Sequence, residues 1–203
     1  MSTAIKIADA EGIDAVSIRR VAGDLGVRPM SLYTYIDRKE DLLALMRDQV
    51  SGEILIGRDL PHGWREALAA IARRTRNAAL RHPWMIDTPA HGAALGPNAL
   101  RHVEESITAL EELDLSPQVT IEILTAVDKF VLGHVIFEIG SRSGNIGGLA
   151  QPYIDSLLAS GEFPALSRIA ADARATAATE GEFERGLSWL LDGIAADISD
   201  GAG

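Results

Sequence analysis

The sequence predicts an all-α protein, with an N-terminal three-helix head of helix-turn-helix type followed by a larger helical body. Three observations predict it. Apolar residues recur at helical spacing along the whole chain, and no segment shows convincing strand alternation. The first forty residues hold short apolar-faced segments parted by Gly12 and Gly26. Capping residues and prolines stand where helices begin, as at Ser17, Pro29 and Asp37.

In order along the chain, residues 3–11 read as a helix stopped by Gly12. Ser17 caps a second helix, 18–25, whose Val21, Ala22 and Leu25 share a face, and Gly26 terminates it. Pro29 suits the first turn of a third helix, about 29–35. Asp37 with Glu40 forms a capping-box pattern that opens a fourth helix from Arg38 to about Ile56. Longer helices follow over Gly63–Arg81, Asn98–Leu113 and Pro117–Ile139, with Pro83, Pro89 and Pro97 breaking the stretch between the first two. Residues 140–152, containing GSRSGNIGG, read as a loop. Further helices cover 153–160, 164–178 and 182–198, the last with a stripe of Phe183, Leu187, Leu190, Leu191, Ile194 and Ile198. The boundary between head and body falls inside the fourth helix, giving domains 1–47 and 48–203.

Composition narrows the function. The chain has 203 residues, 47% of them apolar, enough for a sizeable core, and no cysteine, which excludes disulfides and thiolate metal sites. No basic start leads into an apolar run, and no stretch reaches the ~18 apolar residues of a membrane span, so a cytoplasmic protein is expected. The net charge of −10 argues against bulk affinity for polyanions. The charge is uneven, however. Between Arg19 and Lys39, five basic residues (Arg19, Arg20, Arg28, Arg38, Lys39) face only Asp24 and Asp37.

The second helix of a helix-turn-helix lies in the DNA major groove, so it needs one apolar seam and an otherwise hydrogen-bonding surface. Leu32 and Ile36 supply the seam. Arg28, Pro29, Met30 and Ser31 form the entering end. Tyr33 and Tyr35 offer hydroxyls, and Thr34 a hydroxyl or a methyl contact. Lys39 opens the next helix, where backbone N–H groups and positive charge favour a phosphate. Ser17, Arg19 and Arg20 begin the second helix and are placed to grip the flanking backbone. The same residues also fit the polar face of a helical protein-interaction domain that binds no DNA.

The stretch EGIDAVSIRRVAGDLGVRPMSLYTYIDRKEDLLALM, residues 11–46, resembles the DNA-binding head of the TetR (tetracycline-repressor-like) family. Gly12, Ser17, Val21-Ala22, Leu25-Gly26-Val27, Leu32-Tyr33, Tyr35, Lys39 and Leu42-Leu43 carry the likeness. LSPQVTIEILTAVDKFVLGHVIFE, the late FPAL and FERGLSWLLDGI resemble the C-terminal domain of the tetracycline-repressor type. The resemblance implies a ligand-responsive repressor that leaves a palindromic operator on double-stranded DNA when it binds a small-molecule inducer. It also implies a homodimer in which 117–139 and 182–198 meet their copies in a four-helix interface. Two departures stand out. Arg28 occupies a capping position where many members have Ser or Thr, and it cannot accept a backbone N–H. Only Met-Ser-Thr precedes Ala4, where the family has a basic arm and a longer first helix: either the arm is lacking or the true start lies upstream of Met1, and the resemblance does not carry arm contacts over.

For the inducer, a pocket with apolar walls and a few placed polar groups is expected in the body. Trp84, Met85, Phe130 and Phe137 are candidate walls, and His91, Asn98, His102 and His134 candidate orienting groups, with His62 and Trp64 nearby in sequence. His102/Glu105 and His134/Glu138 have the spacing of paired metal ligands but lack an identifiable third ligand, so neither metal nor cofactor is expected. Enzyme signatures are absent from the sequence: no G-x-S-x-G, no phosphate-binding glycine loop and no H-E-x-x-H occurs.

Overall fold

A computed structural model describes residues 1–87, 96–142, 151–173 and 180–201. Among these the regular structure is helical, with no strand. The helices are α1 (Ser2–Glu11), α2 (Ile18–Asp24), α3 (Pro29–Tyr33), α4 (Lys39–Ile54), α5 (Trp64–Arg81), α6 (Trp84–Asp87), α7 (Pro97–Thr108), α8 (Pro117–Arg142), α9 (Gln151–Ala159), α10 (Pro164–Ala173) and α11 (Glu180–Gly201). They divide into two compact units, Met1–Val135 and Ile136–Gly203.

In the first unit, α1 is ten residues long, too short to persist on propensity alone. It is held by burial of Ala4, Ile5, Ile7 and Ala8 in a cluster with Val16, Ile18, Val21 and Ile36. Helix α4 closes that cluster from below. Leu42, Met46, Val50 and Ile54 recur every fourth residue and are all buried, each contributing about 1.5–3 kcal/mol. The upper part of this stripe serves the head, and the cluster extends to Ala78 of α5 and Trp84 of α6. One continuous core therefore joins α1–α4 to the start of the body. Helix α8 buries Ile123, Val127, Val131 and Val135 along one seam and exposes Ile121, Leu132, Ile136 and Phe137 elsewhere. In the second unit α11 buries Phe183, Leu187 and Leu191 and exposes Trp189.

Several boundaries differ from the sequence reading for local reasons. Helix α3 stops at Tyr33 rather than 35, because the N–H groups of Tyr35 and Ile36 both turn back to the Leu32 carbonyl (2.9 and 3.0 Å). Leu25 is 49% exposed instead of sharing the Val21 face. The chain leaves the helix at Asp24 and turns through Gly26 at φ 68°, a left-handed conformation suited to glycine. The cap of α4 sits one residue later than expected: the Asp41 carboxylate accepts the Arg38 N–H (3.1 Å), in place of an Asp37–Glu40 box. Helix α8 runs on through Gly140 to Arg142.

Candidate DNA interface and effector site

The helix-turn-helix is built by α2 and α3. Ser17 caps α2 as its sequence position implies, its hydroxyl accepting the Arg20 N–H at 3.2 Å. Arg28 is the N-cap of α3 and makes no side-chain capping bond, which leaves its guanidinium directed outward, with Pro29 fixing the first turn. Leu32 and Ile36 pack toward the core as the seam. Around them Arg28, Pro29, Met30, Ser31, Tyr33, Thr34 and Tyr35 are all exposed, Met30 to 74% and Tyr35 to 83%. Large apolar and aromatic side chains held this far into solvent on a short helix suit contact with base edges and sugars. The Thr34 hydroxyl donates to the Met30 carbonyl (3.4 Å). Lys39 is half-buried at the first turn of α4, beside the free N–H end of that helix.

Arg19 is exposed, whereas Arg20 is engaged. It forms a two-pronged pair with Glu11 (2.8 and 3.2 Å) and a further bond to Asp24 (3.3 Å), and these carboxylates raise its pKa. Arg20 thus ties α1 to α2, and reaching a phosphate requires it to leave two carboxylates. The Asp24 partner is legible as an i,i+4 pair, but Glu11, on another helix, is not.

The candidate pocket residues are not gathered in one place. Trp84 is only 2% exposed and belongs to the core beneath the head, its indole N–H donating to Asp9 Oδ1 at 2.7 Å. It is a structural side chain, because a buried indole needs an acceptor and α1 supplies one. Met85 packs against the same cluster. His62 is exposed, and Trp64 opens α5 with its backbone N–H on Glu112. Phe137 is 76% exposed and does not line the cleft described below. Asn98 is committed to α4, its amide donating to the Asp48 carbonyl (3.1 Å). His91 lies outside the described residues.

His102, Phe130 and His134 remain, all half-buried. The Phe130 and His134 rings stand 6.0 Å apart. His102 Nδ1 is buried with no hydrogen-bond partner among the described residues, and burial lowers the imidazole pKa, with Asp128 and Glu105 opposing. Asp128 sits on the solvent side of α8 yet is crowded by neighbouring atoms. This desolvation raises its carboxyl, and the His102 charge pulls the other way. The Glu105 carboxylate accepts from the backbone N–H groups of Ile56 and Gly57 (3.0 and 2.6 Å). No group of three His, Cys, Asp or Glu suited to a metal occurs among the described residues. A cleft of about 390 Å³ opens between the end of α7 and the start of α8, lined by Ile107, Leu110, Leu115 and Ile121 with Glu111 and Asp114 at hand. None of the residues singled out from sequence lines it.

A helix-turn-helix whose second helix stands free in solvent, rooted in a larger all-helical body, defines a DNA-binding regulator. The chain belongs to the tetracycline-repressor-like family: residues 58–198 match the Tetracyclin repressor-like, C-terminal domain. The HTH-type transcriptional repressor DrrR1 of Streptomyces coeruleorubidus is 32% identical, over 96% of this chain and 75% of that protein. A possible TetR family transcriptional regulator from Streptomyces coelicolor A3(2) superposes with a TM-score of 0.76 at 30% identity, covering 96% of each chain. The TetR family protein ActR of Streptomyces coelicolor, solved in complex with actinorhodin, gives a TM-score of 0.75 at 28% identity, over 97% of this chain and 95% of that one. The protein is thus a helix-turn-helix transcriptional regulator of a ligand-responsive family, and not an enzyme. No helix among the described residues is long and apolar enough to cross a membrane.

Proposed function

We propose that this regulator is a cytoplasmic repressor that binds a palindromic operator as a homodimer and is released by a small-molecule inducer. The observation that carries the reading is the exposed face of α3, with Arg28, Tyr33 and Tyr35 in solvent over a buried Leu32–Ile36 seam. In this reading Arg28, Met30, Ser31 and Tyr33 meet base edges, while Ser17, Arg19, Thr34, Tyr35 and Lys39 hold phosphates. Arg20 joins them only by exchanging a carboxylate for a phosphate.

The division of labour runs at about residue 47, with 1–47 reading DNA and 48–203 sensing and dimerising. The dimer forms through 117–139 and 182–198. Exposed Ile121, Leu132, Ile136 and Phe137 on α8 and exposed Trp189 on α11 supply apolar surface for partner contact. The inducer site is centred on His102, Phe130 and His134. His102, kept neutral by burial and with an unpaired ring nitrogen, suits a neutral hydroxyl or carbonyl better than an anion. Release requires the inducer to prefer the off-DNA state, and a 100-fold preference corresponds to about 2.7 kcal/mol.

Selection of bound duplexes from a random pool tests the reading. Recovery of an inverted repeat with half-sites about one helical turn apart, bound in a salt-sensitive manner, supports it. Recovery of no preferred sequence refutes it. Actinorhodin, the compound held by ActR, is the first to be tried for release of the recovered duplex.

A further inference from the structure

Residues 1–48 contain neither Asn nor Gln, the side chains that bind adenine through paired hydrogen bonds. An acceptor for the amino group of cytosine is equally scarce. Between Ser17 and Ile36 the one carboxylate is Asp24, and it is bonded to Arg20 (3.3 Å). What α3 does present is a cation, hydroxyls and one apolar side chain far out in solvent. Met30 is 74% exposed, and no other large aliphatic side chain among the described residues stands out as far. Its place on the helix fits the exposure. Arg28 is the N-cap and Pro29 the first helical residue, so Met30 falls in the first turn, the part of a recognition helix that reaches base edges. It precedes Leu32 of the seam by two residues, about 200° around the helix, and so faces away from the core. Thr34, one turn on and on the same side, gives its hydroxyl to the Met30 carbonyl (3.4 Å). The side of α3 turned furthest from the core therefore leads with an apolar group.

We infer that Met30 is a specificity-determining residue that reads the C5 methyl group of a thymine in each half-site. The inference rests on the regulator reading above. In the major groove that methyl is the one apolar group a base pair presents, and it marks thymine against the other three bases. With the paired route to adenine closed, an A·T pair is told from its thymine side. An unbranched thioether chain adapts its shape, so it can close over a methyl without a fixed hydrogen-bond geometry. Met30 has no group that could grip a phosphate, so its contact carries sequence information instead of general affinity. A methionine that merely lay on the surface would be indifferent to the methyl.

Uracil differs from thymine only in lacking the methyl, so each thymine of the selected operator duplex is replaced in turn by uracil and the duplexes are titrated with the parent chain. At one position per half-site uracil should weaken binding about fourfold, and about fifteenfold when both half-sites are changed, the effect of one buried methyl group each. At that position Met30→Ala should bind the thymine and uracil duplexes alike, because the two changes remove one contact. Met30→Leu, which keeps an apolar side chain, should retain the preference. Met30 lies outside the core, so neither change touches the packing that holds the head. Uracil duplexes that all bind within about 1.5-fold of the operator, or a thymine preference that survives Met30→Ala at every sensitive position, would overturn the inference. Operator binding without a methyl effect removes this inference alone. If no duplex is bound at all, the regulator reading falls and takes the inference with it.

Discussion

At residue scale, Arg28 and Lys39 are both cations near the recognition helix but stand in different settings. Arg28 caps nothing and is exposed at the entering end of α3, whereas Lys39 is half-buried at an N-terminus. Arg28→Ala should cost about 1–3 kcal/mol per half-site and relax preference at one base position, as seen by titrating operators varied at single positions. Lys39→Ala should weaken all sequences alike and lower the salt slope by about 0.9 for each phosphate that is no longer neutralised. His102 gives a pH prediction. Its folded pKa is lowered from 6.5 by burial, so as pH falls through that value the unfolded chain takes up a proton that the folded chain refuses. Stability should therefore drop below pH 6.5, by at most about 1.4 kcal/mol per pH unit. The raised Asp128 carboxyl acts in the opposite direction, since it binds its proton more readily when folded. His102→Asn should flatten the slope in melts between pH 7.5 and 5.5, and an unchanged slope would remove His102 as its source. Ser17, the Arg28 cap position and the α3 seam were legible in sequence because their partners lie within a few residues. The role of Trp84 was not, because its acceptor, Asp9, is 75 residues away. Asp48 of α4 caps α7 by accepting the N–H groups of Asn98 (2.9 Å) and Ala99 (3.0 Å), and the one readable signal for it is that Gly96-Pro97 opens a helix with no capping side chain of its own.

At the scale of elements, α4 does most to connect head and body. Its every-fourth-residue stripe was readable, and with it the existence of one long helix leaving the head. What that helix touches was not, because periodicity tells which face is buried and not against what. Trp84 supplies the far wall of that shared core, so it should matter to the fold as a whole. Trp84→Phe removes the N–H bonded to the Asp9 carboxylate and part of the ring, which should destabilise the protein by about 2–4 kcal/mol, combining a missing charge-assisted bond with a partial cavity. Urea titration should show a lower midpoint with the slope unchanged. A change under 0.5 kcal/mol would mean that the Asp9–Trp84 bond is dispensable. Helix α8 shows another limit of sequence. Its apolar residues lie all round, which implies burial on two sides, but among the described residues the buried ones form the Ile123–Val135 seam, while Ile121, Leu132, Ile136 and Phe137 around the rest of the helix stand in solvent.

At the scale of the whole molecule, exposure on α8 and α11 decides where a dimer test must cut. Leu191 is 2% exposed and buried within its own chain, so charging it would unfold the protein before it separated two copies. Phe137 and Trp189 are 76% and 69% exposed, and aromatic surface of that extent suits contact with a partner. Phe137→Asp with Trp189→Asp should therefore leave a folded monomer, with thermal unfolding still cooperative and light scattering giving half the parent mass. If two heads on the proposed dimer bind a palindrome, the second contact is intramolecular, which raises affinity by about 10²–10⁴ over one head alone. The parent should thus prefer a full operator to an isolated half-site by at least 100-fold. The double variant should bind both duplexes alike, at the parent's half-site affinity, because α3 itself is untouched. If the variant stays dimeric, these two aromatics lie outside the interface. If it becomes monomeric yet still prefers the full operator 100-fold, recognition does not depend on paired heads.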